Sequence, residues 1–329
     1  MKEILQRLTS HLSLEREEAG NILKKIAKSE YNNSQVSSFL TVFMMRMITV
    51  QELAGFRDAL LDLCMATDLS EFDTIDLCGT GGDGKYTFNI STLSSFVVAG
   101  AGGKVAKHGN YGVSSSCGSS NVMESLGYKF TNDRDTLRNQ LDKANICFLH
   151  APLFHPAMKA VGPIRRELGV KTFFNLLGPM VNPSFPRNQL VGVWSLETAR
   201  LYNYIYQQTD KNYTILYSLD GYDEISLTCE FKLISNHEEE LLSPEKIGMP
   251  RLVPEDLLGG NTVEESVKIF LAILEGKGTE AQNAIVIANS GMALRRLNPD
   301  KSICECLEIA KESLEGGSAN LKLKKLLEL

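Results

Sequence analysis

Residues 74–92 read TIDLCGTGGDGKYTFNIST, and residues 104–124 read KVAKHGNYGVSSSCGSSNVME. Each stretch opens on a short β-branched and apolar run, passes into a glycine- and hydroxyl-rich loop, and leads into a segment of helical character. Gly79, Gly81, Gly82 and Gly84 lack a Cβ, so the first loop can take positive φ and let a bulky anion touch its N–H groups. Asn89, Ser91 and Thr92 follow where the next helix should begin, at free N–H groups carrying partial positive charge. The second loop repeats the pattern with Lys107, Ser114 to Ser116, Gly118 and Ser119. Together they predict a phosphate site built on two strand-to-helix turns.

Two short motifs compete for the first loop, and each lacks its second half. Gly79, Gly81 and Gly84 satisfy the dinucleotide fingerprint, but that fingerprint also needs an acid at the end of the second strand, about 20 residues on. That strand ends at Ala106 and Lys107. Gly79 to Lys85 has P-loop spacing, yet Tyr86 stands where a magnesium-binding hydroxyl is required.

Outward from these loops, the chain alternates. Strands are expected at 74–78, 103–107, 127–130, 146–150, 189–194 and 213–219, with helices between most of them, as at 133–144 and 195–208. This pattern predicts an α/β sheet, largely parallel, with ligands outside the carboxyl ends of its strands. Residues 1–70 read as helices only. Ser13 and Ser34 are expected N-caps there, and Thr49 with Glu52 forms a capping box. Met44, Met45 and Met47 read as core or as a subunit interface. After Asp220 come a turn, antiparallel strand material in ISLTCEFKLIS, a second capping box at Thr262 and Glu265, and helices near 278–296 and 301–315.

Composition bounds the function. A chain of 329 residues, 43% hydrophobic and 22% charged, has room for two domains and is ordinary for a globular protein. Net charge of −6 argues against a nucleic-acid surface, which needs a basic stripe. No apolar run approaches a membrane span of about 20 residues, and the first residues show no secretory h-region, so a cytoplasmic protein is expected. The seven cysteines are odd in number and lack framework spacing, which predicts reduced thiols.

GTGGDGKYTFNIST, KHGNYGVSSSCGSSNVMESLG, HPAMKAVGPIRRELGVKTFFNLLGPMVNP and GYDEIS, in this order, resemble the signatures of the anthranilate phosphoribosyltransferases of tryptophan biosynthesis, across nearly the whole chain. The resemblance implies a small helical domain, 1–70 joined by part of 155–183, and a large α/β domain, 71–329, of nucleoside phosphorylase-like fold. It implies transfer of the phosphoribosyl group of phosphoribosyl pyrophosphate to the amine of anthranilate, the second step from chorismate, with magnesium as cofactor, two ions per site, and a homodimer through the N-terminal helices. Contact with an anthranilate synthase subunit stays open.

Residue by residue, the resemblance assigns phosphoribosyl pyrophosphate to Gly79, Gly82, Asp83, Thr87, Asn89, Ile90, Ser91, Thr92, Lys107 and Ser119. It assigns anthranilate to Gly79, His108, Asn110 and Arg165, and magnesium to Ser91, Asp223 and Glu224. Hard carboxylate oxygens suit magnesium, and a planar guanidinium fits a carboxylate bidentately. No dedicated acid or base is implied; Asn110 and Arg165 position the acceptor. Asp83 as a plain turn cap and His108 as a packed histidine are the competing readings. Tyr111 and Lys171 depart from the arginines many relatives carry, which removes two guanidinium groups near the site. The rival functions are a pyrimidine nucleoside phosphorylase of the same fold, against which the acidic pair speaks, and a non-catalytic nucleotide-binding relative.

Overall fold

The computed structural model describes residues 1–112 and 117–329; Ser114 to Ser116 lie outside the described residues. The chain forms two compact units, one of residues 1–66 with 151–183, the other of 67–150 with 184–329.

The first unit is helical. Its main helices are α1 (Lys2–Thr9), α2 (Arg16–Ala27), α3 (Asn33–Met45) and α4 (Val50–Leu63). The late segment enters through Phe173, whose ring stacks on Phe56 at 4.4 Å and meets Phe39 and Phe43 edge-on at 6.2 and 5.2 Å. These four rings are buried, so residues far apart in sequence share one aromatic core. Polar bonds add to it. The Thr49 and Glu52 capping box forms, and the buried Glu52 carboxylate also accepts from Leu14 N at 2.9 Å and pairs with Arg46.

Two local expectations fail, and a third is narrowed to one of its alternatives. Glu15, not Ser13, precedes α2, with no side-chain cap. Asn32, not Ser34, caps α3, because Asn32 and Gln35 form a reciprocal box two residues earlier. Met44, Met45 and Met47 are exposed, at 42, 83 and 63%, so they are not core. They sit at the end of α3 and just beyond it, past its buried face.

The second unit is the α/β sheet. Its strands are β1 (Thr74–Gly79), β2 (Lys104–Gly109), β3 (Ile146–His150), β4 (Asn188–Gly192), β5 (Asn212–Ser218), β6 (Phe231–Ser235) and β7 (Glu239–Leu242). Their order is β3-β2-β1-β4-β5-β6-β7. The first five run parallel, and β6 and β7 add antiparallel. From β1 the chain steps outward through β2 and β3, then returns to the other side of β1 as β4. That reversal opens a crevice at the carboxyl ends of β1 and β4, where ligands of open α/β sheets bind.

No strand forms at 127–130. Gly127 turns the chain at φ +89°, and the residues after it bury rings instead of pairing. Tyr128 packs on Phe148 and donates to Gln140 at 2.8 Å, and Phe130 stacks on His150 at 4.3 Å. Likewise only Phe231–Ser235 of the ISLTCEFKLIS run is strand. At the second capping box, Thr262 accepts from Glu265 N, while Glu265 bonds Asn261 N instead of closing on Thr262. All seven cysteines are free thiols. Among the described residues no helix is long and apolar enough to cross a membrane.

Phe173→Ala should cost about 3–5 kcal/mol, because it empties the centre of the aromatic core. Urea denaturation followed by circular dichroism checks this; a loss below about 1 kcal/mol would show that the segment is not held by that ring.

Candidate active site

Gly79 and Gly192 face each other in register at the carboxyl ends of β1 and β4. The loop carrying Asp223 lies on this pair. A Cβ at Gly79 would overlap the Asp223 carboxylate, and one at Gly192 would overlap the Asp223 carbonyl. Two glycines at this spot therefore create the seat for an acidic residue arriving from beyond β5. Gly192 went unread in the sequence; a glycine inside the β-branched run LVGVW was its signal.

The first loop closes over that seat. Gly81, Gly82 and Gly84 all take positive φ, from +66° to +77°, and Gly81 N donates to Asp223 Oδ2 at 2.6 Å. Asp83 caps its own turn by accepting from Lys85 N at 3.1 Å. Its other oxygen, Oδ2, is buried without a hydrogen-bond partner. A segment sequence reading missed stitches the loop from outside: Thr87 bridges Leu258, Phe88 N donates to Leu257 O, and Gly259 N donates to Tyr86 O.

Helix α5 (Ile90–Gly100) then starts, with Asn89 at its N-cap, so Ile90, Ser91 and Thr92 form its first turn. The Asn89 side-chain amide donates to Cys117 O at 3.1 Å, which ties the first loop to the second. Cys117 is buried and free. Ser119 opens α6 (Ser119–Ser125), where Ser119 Oγ and Ser120 N both donate to Asn110 O, at 3.4 and 3.1 Å. The Asn110 side chain accepts from Tyr111 N at 2.8 Å, which leaves its NH2 as the available donor.

Lys107 and His108 lie in β2 and are buried. The Lys107 ammonium donates to Leu77 O at 2.6 Å and approaches Ser91 Oγ at 3.4 Å, below the start of α5. Burial pulls its pKa down, and Asp76, Cys78 and Glu224 push it back up. His108 N donates to the buried Asp76. Tyr111 donates to Glu124 and meets His150 edge-on. Arg165 belongs to the helical unit, in the helix Gly162–Leu168. Its guanidinium lies over Phe174 at 5.2 Å and donates to Asn175 at 3.4 Å. Arg166 and Lys171 are exposed.

The electrostatics of the crevice are unusual. Burial raises Asp223 to about 7, with the charge of Asp83 adding to the shift. Burial also raises Glu224, with Asp223 next in weight. Such carboxyls ionise readily only beside a cation. Among the described residues, no three His, Cys, Asp or Glu side chains form a ready-made metal group. The lone oxygen of Asp83 and the raised acids instead fit a hard cation that takes its remaining ligands from phosphate and water, as magnesium does.

Known proteins are similar to this chain over nearly its whole length. The helical bundle domain of the glycosyl transferase family matches residues 2–64, and the a/b domain of that family matches residues 71–320. The anthranilate phosphoribosyltransferase of Flavobacterium psychrophilum is 63% identical over 329 residues, covering 100% of this chain and 99% of that protein. That of Christiangramia forsetii is 60% identical over 332 residues, with 100% and 99% covered. Among solved structures, anthranilate phosphoribosyltransferase from Thermus thermophilus superposes with a TM-score of 0.91 at 30% identity, covering 98% of each chain. The Saccharomyces cerevisiae enzyme in complex with PRPP and Mg superposes at 0.90 and 26% identity, covering 98% of this chain and 96% of that one.

Asp223 has an ordinary value of 3.8 and a folded value of about 7. A carboxyl raised this way supports the fold fully below its unfolded pKa, and that support is lost as pH rises through 7. In magnesium-free protein, the Tm of wild type should therefore fall relative to Asp223→Asn between about pH 4 and about pH 7. Parallel curves across that window would show that Asp223 ionises without penalty.

Proposed function

The chain belongs to the anthranilate phosphoribosyltransferases, and we propose that it joins anthranilate to phosphoribosyl pyrophosphate, giving N-(5-phosphoribosyl)anthranilate and pyrophosphate in tryptophan biosynthesis. The observation that carries this reading is the crevice between β1 and β4, where two hydrogen-bonded glycine loops meet an acidic pair, Asp223 buried and Glu224 half-buried. An acidic pair suits a metal-bound diphosphate better than free phosphate, which disfavours a nucleoside phosphorylase.

The amine nitrogen forms a bond to the anomeric carbon as the carbon–oxygen bond to pyrophosphate breaks, through an oxocarbenium-like state. An aromatic amine is neutral at pH 7, so its lone pair is free, and the proton it sheds after attack can pass to solvent. The protein's work is to bind, orient and stabilise departing charge. Main-chain N–H groups of Gly79, Gly82 and Asp83 and the first turn of α5, from Asn89 through Ile90 and Ser91 to Thr92, would hold the donor's phosphates, with Thr87 and Ser119 adding hydroxyls. Lys107 supplies buried positive charge below them. Magnesium, when bound, neutralises phosphate charge; Ser91, Asp223 and Glu224 would hold it, as two ions.

Asn110 offers its NH2 to the acceptor, and Arg165 its planar fork to the anthranilate carboxylate. Asn175 and Phe174 hold that fork in place, which lowers the entropy lost on binding. Gly79 and His108 complete the acceptor's surroundings. The exposed methionines of the helical unit suit a contact with a second copy of this chain.

Anthranilate fluorescence should disappear on adding phosphoribosyl pyrophosphate with magnesium and persist without the metal. Arg165→Ala should lower kcat/KM by about 100-fold, chiefly through the KM for anthranilate. Unchanged fluorescence with folded, magnesium-supplied protein would refute the reaction. For the dimer, Met45→Asp with Met47→Asp should convert the chain to monomer in sedimentation equilibrium, and a mass unaffected by the change would exclude that surface.

A further inference from the structure

Behind the acidic pair stands a residue whose side-chain hydrogen bonds all go to backbone groups, both of its N–H donors among them. Asn289 lies in the helix Glu280–Leu297 and is 1% exposed. Its Oδ1 accepts from Ile225 N at 3.0 Å, and its Nδ2 donates to Ile225 O at 3.0 Å and to Ile285 O of its own helix at 2.9 Å. The side-chain amide thus grips both polar groups of one residue's backbone, as a neighbouring strand would. That residue directly follows Asp223 and Glu224. From the other side, Ser218 Oγ at the end of β5 donates to Glu224 O at 2.7 Å. Asn289, Glu224, Ser91 and Ser94 also line one small cavity behind the first loop.

We infer that Asn289 and Ser218 are positioning residues that clamp the backbone on either side of the Glu224–Ile225 peptide and thereby set the metal-facing geometry of Asp223 and Glu224. The argument is one of fit. A neutral amide side chain presents a donor and an acceptor side by side, which an apolar residue does not. An apolar residue at 289 would leave Ile225 N–H and C=O buried without partners, and the loop would move to find them. Both N–H donors of Asn289 are taken by backbone carbonyls and its side chain is 1% exposed, so its effect passes through the loop. The loop cannot compensate by sliding, since Gly192 and Gly79 already contact Asp223 on its other side. Groups that orient metal ligands from behind typically govern affinity by 10–100-fold.

This inference rests on the magnesium reading proposed above, and its test separates the two. Magnesium binding is followed without turnover, as the Mg2+ concentration giving half of the rise in Tm at fixed phosphoribosyl pyrophosphate. Asn289→Ala should raise that concentration by about 10- to 100-fold, and Ser218→Ala should raise it about 10-fold. Ser290→Ala is the matched control: Ser290 is fully buried one position along the same helix and donates only to Val286 O. It should lower Tm while leaving the Mg2+ midpoint in place. If wild type gains no Tm from Mg2+, the magnesium reading itself fails. If wild type responds and both clamp variants respond at the same concentration, or Ser290→Ala shifts the midpoint equally, the clamp is refuted. Should Asn289→Ala not fold, Ser218→Ala decides the outcome.

Discussion

Everything around the crevice follows from seating a carboxylate where a carboxylate does not want to be. Asp223 is 6% exposed, pressed onto two glycines that leave no room for a Cβ. One main-chain N–H holds it, and a second acid adds repulsion. Burying charge in this way costs several kcal/mol unless something offsets it. The nearby Lys107 offsets part for Glu224. The rest would fall to the proposed cation, whose binding would draw these groups together.

Topology makes that seat available. Because β4 returns on the opposite side of β1 from β2, the two central strands end at a shared crevice with no crossover covering it. The first glycine loop leaves β1 at this point, and α5 directs its free N–H groups back toward the same space. Asn89 then links it to the second loop through Cys117 O. Supports come from distant parts of the chain. Residues 257–259 stitch the loop, Asn289 grips Ile225, and Ser218 holds Glu224.

Much of this was legible in the residues alone. Glycine-rich turns after β-branched runs betray themselves because few other residues can take positive φ, and the parallel sheet followed from strands alternating with helices. The acidic pair drew attention only through its match to a family motif, since two acids in a turn are ordinarily solvent-exposed. Errors came where local pattern and tertiary packing diverged. The run 127–130 looks like a strand, but its rings found a better place against β3 and His150. Ser13 and Ser34 had capping chemistry, yet both N-caps were set two residues away.

By itself, then, the sequence determined the elements whose causes are local: the glycine turns, the helix following each, and the capping box at Thr49. Only the tertiary structure decided what depends on distance through space. It brought Phe173 onto Phe56, put Gly192 opposite Gly79 beneath Asp223, and set Asn289 against Ile225, 64 positions away. The physical reason is that propensity and φ preference act within a few residues, whereas burial and hydrogen-bond satisfaction are settled by whichever partners the finished sheet places alongside.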